Sequence, residues 1–308
     1  MKRFSIVRNI SFFIISIALS TLTNNANAER LKYIEFSQLG SPAEVLEVKE
    51  DHSRPLKSGE IRVRVLAVPI NPSDLLQIEG NYGIDPVLPY RPGKEGIGRV
   101  LEISSEIKHL MVGQLVLLVG GETGTWRDEI VAPAVSFLPL PNLGTIDSNM
   151  IEQLSMTVVN PMTALLMLTS FVELEEGQWL VQSASNSAVG GYVIQLAKQR
   201  GIKTINVVRR EGLAEDLIAK GGDVVLIDGP NLTSQITKAT NNAPVKLALD
   251  AVGGDTYTRL ANSLGYGGTL IAYGVLSGKD ATLNPGMTIA NDIRLRSFWL
   301  TKWYEAAE

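Results

Sequence analysis

The stretch from Trp179 to Arg210, WLVQSASNSAVGGYVIQLAKQRGIKTINVVRR, constrains the fold more than any other, because it reads as strand, tight turn, helix and second strand in one unit. Trp179 to Val181 is a short apolar strand, and Val189, Val193, Leu196 and Ala197 recur at helical spacing until Gly201 stops the helix. Thr204 to Val208 is β-branched nearly throughout, as a parallel strand buried on both faces requires. Between the first strand and the helix, Ser185-Asn186-Ser187-Ala188-Val189-Gly190 matches the dinucleotide fingerprint G-x-G-x-x-G only at its third glycine. Serine is still small enough to let backbone N–H groups and a positive helix end approach a pyrophosphate, and Gly190 allows close packing of helix on strand. Arg209 follows Gly190 by 19 residues, where such units place the residue that reads the ribose. An acidic residue there selects a 2′-hydroxyl. The pair Arg209-Arg210 suits a 2′-phosphate instead, which points to NADPH. The competing reading is a solvated basic strand end after an ordinary βαβ turn.

At 308 residues, 45% hydrophobic and 19% charged, the chain is long enough for two domains. It has no cysteine, which rules out a disulfide framework, a thiolate metal site and a cysteine nucleophile. Only two histidines, His52 and His109, are present and far apart, so no metal site is expected and both read as surface residues. Residues 1–28 differ from the rest. Lys2, Arg3 and Arg8 precede an apolar run from Ile10 to Leu22, and Ala26-Asn27-Ala28 follows as a small-x-small cleavage site, the pattern of a secretory signal peptide. Export to the periplasm or outside the cell is the expectation, with a cytoplasmic protein as the alternative if the leader is misread. The apolar run is too short to span a bilayer, and no later stretch is long enough. Without the leader, 25 basic residues face 32 acidic ones, which disfavours nucleic acid as a partner.

From Leu31 to about Pro141 the pattern is that of β-structure: alternation over Ile61-Arg62-Val63-Arg64-Val65, then apolar strands at Leu115 to Val119 and Ile130 to Val131. Asn71-Pro72-Ser73-Asp74 starts a short helix on proline's preset φ, and Gly80-Asn81-Tyr82-Gly83 turns out of it. A tyrosine in such a loop is in most proteins a plain turn residue. Beyond Asn160-Pro161-Met162-Thr163 an apolar helix runs through Leu165, Leu166 and Leu168. Strands at Val224 to Ile227, Leu247 to Asp250 and Leu270 to Tyr273 then alternate with helices near Thr233 to Thr240 and Thr256 to Leu264, and Ile293 to Leu300 reads as a last strand. Alternation of this kind means a parallel sheet with helices on both faces.

Several pieces together carry a resemblance: INPSD and GNYG within Ile70 to Gly83, GTWRDE at Gly124 to Glu129, VNPMTA at Val159 to Ala164, SASNSAVG at Ser183 to Gly190, TINVVR at Thr204 to Arg209, and RSFWLTKW at Arg296 to Trp303. Over about Leu31 to Trp303 the chain resembles the medium-chain dehydrogenase/reductase superfamily, and within it the zinc-free, NADPH-dependent 2-enoyl thioester reductases of the mitochondrial trans-2-enoyl-CoA reductase type. The resemblance implies an α/β fold: a GroES-like β-rich catalytic domain over residues 29–150, then a doubly wound parallel-sheet (Rossmann) nucleotide-binding domain over 151–308, with strand order 3-2-1-4-5-6 and the active site in the cleft between them.

The same resemblance implies that Tyr82 is the catalytic tyrosine. It places NADPH against Asn160 and Thr163, the turn residues Asn186, Ser187, Ala188 and Val189, the phosphate-reading Arg209, Arg210 and Glu211, then Tyr273, Gly274, Val275 and Leu276, and finally Phe298, Trp299, Leu300 and Thr301. Gly93-Lys94-Glu95 occupies the place where zinc-dependent relatives carry a histidine ligand. The substrate would be an enoyl-CoA or enoyl-acyl carrier protein, and the protein a homodimer joined through edge strands of the nucleotide domain. Two features depart from the family: Ala188 stands where glycine is usual, and the sequence ends soon after Trp303, short of the segment with which relatives return to the catalytic domain. A quinone or small-enal reductase, or a catalytically silent exported or truncated homologue that only binds nucleotide, are the alternatives.

Overall fold

The computed structural model describes residues 30–119 and 124–307; the signal-peptide pattern at 1–28 lies outside them. The described residues begin with an antiparallel pair, β1 (Leu31–Glu35) and β2 (Glu47–Asp51), joined across the short helix α1 (Pro42–Val45). β3 (Glu60–Ala67), the helix α2 (Pro72–Ile78), β4 (Glu95–Ile103), β5 (Leu115–Val119), β6 (Glu129–Pro133) and β7 (Phe137–Pro139) follow. Five of these strands form one antiparallel sheet in the order β6-β3-β4-β5-β7. The alternation in β3 works as the sequence requires: Ile61 and Val63 are fully buried, while Arg62 and Arg64 pair with Glu129 on the opposite face. Val100, Val116, Leu118 and Ile130 close the core over them.

A second layer begins with α3 (Ser148–Ser155), whose first turn is capped by Asp147 accepting from Met150 N at 2.8 Å, and α4 (Asn160–Thr169). β8 (Trp179–Gln182), α5 (Ala188–Gln199), β9 (Lys203–Val208), α6 (Ala214–Ala219), β10 (Val224–Ile227), α7 (Leu232–Ala239), β11 (Val245–Asp250), α8 (Gly254–Asn262) and β12 (Leu264–Ala272) then alternate. The helix α9 (Pro285–Ala290), β13 (Arg294–Ser297) and α10 (Leu300–Ala307) complete the chain. The second sheet is parallel throughout, in the order β10-β9-β8-β11-β12-β13. That is the doubly wound order 3-2-1-4-5-6, and its switch point lies between β8 and β11, where a crevice opens beyond the strand ends. Helices cover both faces: α5 sends Val193 and Ala197 into one core with Leu180 and Leu249, and α7 and α8 send Ile236 and Leu260 into the other with Val181 and Ile205.

Two sequence expectations need correction. Ile293 to Leu300 is not one strand, because β13 stops at Ser297. Phe298 N still donates to Ala272 O, but the Phe298 ring turns inward against Phe171 and Trp303, and the chain leaves the sheet to start α10. The helix expected to reach Leu264 ends at Asn262, since Leu264 already pairs with Val245 as the first residue of β12. Both histidines are exposed, as expected. Among the described residues no helix is long and apolar enough to cross a membrane.

Candidate active site

Tyr82 sits in the loop that leaves α2. Gly80 and Gly83 flank it with φ of 78° and 83°, a left-handed backbone that strains any side chain, and a β-carbon at Gly80 would press within 2.9 Å of Leu39. The loop is closed at its base by Asn81 N donating to Leu76 O at 2.7 Å. It carries the phenol across to the start of α10, where Trp299 Nε1 donates to the Tyr82 hydroxyl oxygen at 2.8 Å and Thr301 Oγ1 lies 3.0 Å from it. The Tyr82 and Trp299 rings meet edge to face at 5.2 Å. An indole N–H can only donate, so the phenol oxygen accepts from it and keeps its own proton for another acceptor.

Directly behind this loop, Glu95 at the start of β4 is completely buried and joins the two layers. Its carboxylate accepts from Asn71 Nδ2 at 3.0 Å, Val158 N at 2.9 Å and Val159 N at 2.8 Å; Asn160 Nδ2 in turn donates to Asn71 Oδ1 at 3.2 Å. Burial pushes the Glu95 carboxyl up from its ordinary value, and the hydrogen bonds from Val159, Asn71 and Val158 pull it back only partly. Asn160, expected at the cofactor, is thus also part of the joint between the layers, and Thr163 one turn along α4 is buried beside it.

The other half of the site is a cavity of about 440 Å³ at the ends of β8, β9 and β11. Asn186, Ser187, Arg209, Arg210 and Leu276 line it. Ser187 caps α5 by accepting from Gly190 N at 3.1 Å, and a β-carbon at Gly190 would stand 2.5 Å from Ser185 O, so the turn closes only on glycine. Ala188 and Val189 form the first turn of α5, and the turn itself is fixed by Ala184 in the left-handed region at φ 48°. Arg209 and Arg210 are exposed at the rim with no protein partner among the described residues, and Glu211 follows, also exposed.

Beyond β12, Tyr273, Gly274 and Val275 lead the chain back over the crevice. Burial pushes the Tyr273 phenol well above its ordinary value, and its hydroxyl, lying toward Ser187, completes no hydrogen bond within the protein. Of the last four residues expected at the cofactor, Trp299 and Thr301 meet Tyr82, whereas Phe298 and Leu300 pack into the core under α5.

Several groups were not singled out by the sequence. Asp250, fully buried at the end of β11, accepts from Ser183 Oγ at 2.7 Å and Gly253 N at 2.7 Å and so shapes the cavity floor; burial raises its carboxyl above the usual range. Asp228 lines the wall and is gripped by Arg259 Nε and Nη2, each at 2.8 Å, which with Thr256 outweighs its burial and leaves it lowered. The available signal was a lone acid at the end of an apolar strand.

An anionic cofactor fits this cavity: the capped start of α5 at Ser187 and two guanidiniums without protein partners among the described residues, Arg209 and Arg210, line it. A metal does not fit. Among the described residues no group of three or more His, Cys, Asp or Glu side chains could hold one.

Residues 57–142 match the alcohol dehydrogenase GroES-like domain and residues 188–308 the zinc-binding dehydrogenase family. The chain is 35% identical over 292 residues to the mitochondrial enoyl-(acyl-carrier-protein) reductase of Homo sapiens, covering 93% of this chain and 77% of that protein. Its fold superposes on the Etr1p complex with NADP and crotonyl-CoA with a TM-score of 0.81 and 28% identity, covering 90% of this chain and 84% of the other. The Escherichia coli quinone oxidoreductase complexed with NADPH gives 0.76 and 26%, over 88% of this chain and 82% of the other. The chain belongs to the family of the mitochondrial enoyl-(acyl-carrier-protein) reductases, within the medium-chain dehydrogenase/reductase superfamily.

Proposed function

We propose that the protein reduces the C2–C3 double bond of trans-2-enoyl thioesters, enoyl-CoA or enoyl-acyl carrier protein, with NADPH as reductant. The observation that carries the reading is the Tyr82 phenol, held by Trp299 and Thr301 at the junction of the two layers, where the Trp299 N–H donates to its oxygen and the phenol O–H remains a donor. NADPH, when bound, supplies a hydride to C3 of the alkene. The turn at Ser187 and the rim arginines would hold its phosphates, and Asn160, Thr163 and Tyr273 would border its other end. Hydride addition at C3 leaves negative charge on the thioester enolate, and Tyr82 answers it by donating to the enolate while Trp299 donates to the phenol oxygen.

Tyr82→Phe keeps the ring contacts and deletes only the donor. It should lower kcat by roughly 10²-fold, the usual size of a general-acid contribution, with NADPH affinity unchanged. A phenylalanine enzyme within a few-fold of the parent returns Tyr82 to a turn role. Turnover on crotonyl-CoA, longer enoyl-CoAs, enoyl-acyl carrier protein, small enals and quinones separates thioester reduction from a quinone or enal reductase, and NADPH binding without any turnover identifies a silent homologue.

Two further points belong to the same reading. Residues 1–28 direct export, which the mass of the chain recovered from the periplasm or medium would test. A homodimer would form along β13, an exposed edge strand whose outer side is unpaired among the described residues, and light scattering after gel filtration would reveal a monomer if it does not.

A further inference from the structure

Lys94 immediately precedes β4, and its side chain is only 19% exposed. Its Nζ lies 2.6 Å from Gln77 Oε1, 3.3 Å from Ser73 O and 3.6 Å from Asp74 Oδ1. An ammonium has three donors and no acceptor, and the three polar atoms around Nζ are all acceptors, so the surroundings fit the charged form. Asp74 Oδ1 is buried without a hydrogen-bond partner, and the facing Lys94 charge is what offsets it. Above the same Nζ, at 4.3 Å, is the centre of the Tyr82 ring. Burial presses both members of the pair toward neutrality, Lys94 downward and Asp74 upward, while each one's charge opposes the shift in the other.

We propose that Lys94 is a positioning residue that holds a positive charge against the face of the Tyr82 ring and stabilises the phenolate left behind when Tyr82 gives its proton to the substrate. The inference rests on the donor role of Tyr82. In that step the phenol O–H bond breaks, a C–H bond forms at C2 of the substrate, and the electron pair stays on the phenol oxygen until solvent returns a proton. The ring delocalises this charge, so a cation over its face, together with the N–H of Trp299 at the oxygen, meets it from two sides. Of the other ionisable groups around the loop, Glu79 and Asp85 are exposed. Asp74 on α2 is engaged by Asn71 N and Lys94, and Glu95 on β4 by Asn71, Val158 and Val159. Lys302 on α10 lies over the Trp299 ring at 5.8 Å, and Tyr192 and Tyr304 are raised first by burial and then by Glu95. Lys94 is the cation against Tyr82 itself.

The test uses the full enzyme with Lys94→Met, Lys94→Gln and Lys94→Arg, alone and in a Tyr82→Phe background. Enoyl-CoA turnover is followed from neutral to alkaline pH, and NADPH binding is measured separately. Lys94→Met and Lys94→Gln should each lower kcat by about tenfold, the scale of a desolvated cation over a ring, with NADPH affinity unchanged. The parent should lose turnover at alkaline pH as Lys94, lowered by burial, gives up its charge, a loss absent from Lys94→Met and Lys94→Gln. Lys94→Arg, which keeps its charge at alkaline pH, should restore kcat without the alkaline loss, and in the Tyr82→Phe background the Lys94 substitutions should cost nothing more. A Lys94→Gln or Lys94→Met profile that superimposes on the parent, or an equal loss with Tyr82 absent, overturns the inference while leaving Tyr82 as donor. Near-parent turnover by Tyr82→Phe alone overturns both. A Lys94→Met chain that fails to fold leaves the decision to Lys94→Gln and Lys94→Arg; if neither of these folds either, Lys94 is a structural residue and the inference is wrong.

Discussion

Replacing Arg209 and Arg210 together by alanine is the sharpest probe of how the cofactor is chosen. Both side chains stand exposed at the rim of the cavity and have no protein partner among the described residues, so their removal strands no buried group. A desolvated charge-assisted hydrogen bond contributes about 1.5–3 kcal/mol, but a solvent-exposed pair is screened to about 1 kcal/mol or less. Two exposed guanidiniums on one phosphate therefore supply about 2 kcal/mol, or roughly 30-fold in affinity. The double alanine variant should bind NADPH about 30-fold more weakly and NADH unchanged within about twofold. Titration of each cofactor against the protein, read by the nicotinamide fluorescence, measures both constants. Screening supplies a second check: raising salt well past ~0.1 M, where the Debye length is about 10 Å, should erode the parent's preference for NADPH and leave the variant's small one alone. Equal weakening of NADPH and NADH, or a preference indifferent to salt, would return both arginines to a solvated strand end.

Glu95→Ala removes the acceptor of three donors, the buried Asn71 Nδ2 and the half-buried Val158 N and Val159 N, and should cost about 3–5 kcal/mol in urea unfolding, whereas Glu95→Gln, which leaves one donor facing an amide N–H, should cost about 1–3 kcal/mol. A parent-like alanine variant would show that the joint is held elsewhere. The Arg54 hydrogen bond, and then the Lys57 N–H, hold the Glu60 carboxyl down from 4.5 to about 2. A depressed carboxyl contributes stability that is present above its unfolded value and lost as pH falls through the folded one. Glu60→Gln should therefore melt below the parent at neutral pH, and the gap should close between about 4.5 and about 2; a gap constant with pH in calorimetry would contradict this.

The parallel half of the molecule was legible because its signals are local. A β-branched run such as Thr204 to Val208 and a helical repeat such as Val193 and Ala197 declare strand and helix within a few residues, and the strand they describe is buried along its length. The end of the chain was harder. Ile293 to Leu300 is apolar enough for a strand, and only the tertiary pull of Phe171 and Trp303 on Phe298 decides where pairing stops. The cavity lining was legible where one short motif carries it, as at Ser187 or Arg209. It was illegible where partners are remote: nothing near Tyr82 in the chain announces Trp299 and Thr301, and nothing near Glu95 announces the amides of Val158 and Val159.

Lys94 and Glu95 are neighbours in the chain, yet one reaches the ring of Tyr82 and the other the first amides ahead of α4. A single peptide unit thereby gears the chemistry to the seam between the layers. A sideways slip of β4 by even a fraction of an ångström moves the cation off the ring and loosens three hydrogen bonds in the same motion. Selection for a faster or a stiffer protein cannot act on one without the other, so compensating changes are to be sought among Asn71, Gln77 and Asp74, the residues that set where this dipeptide sits.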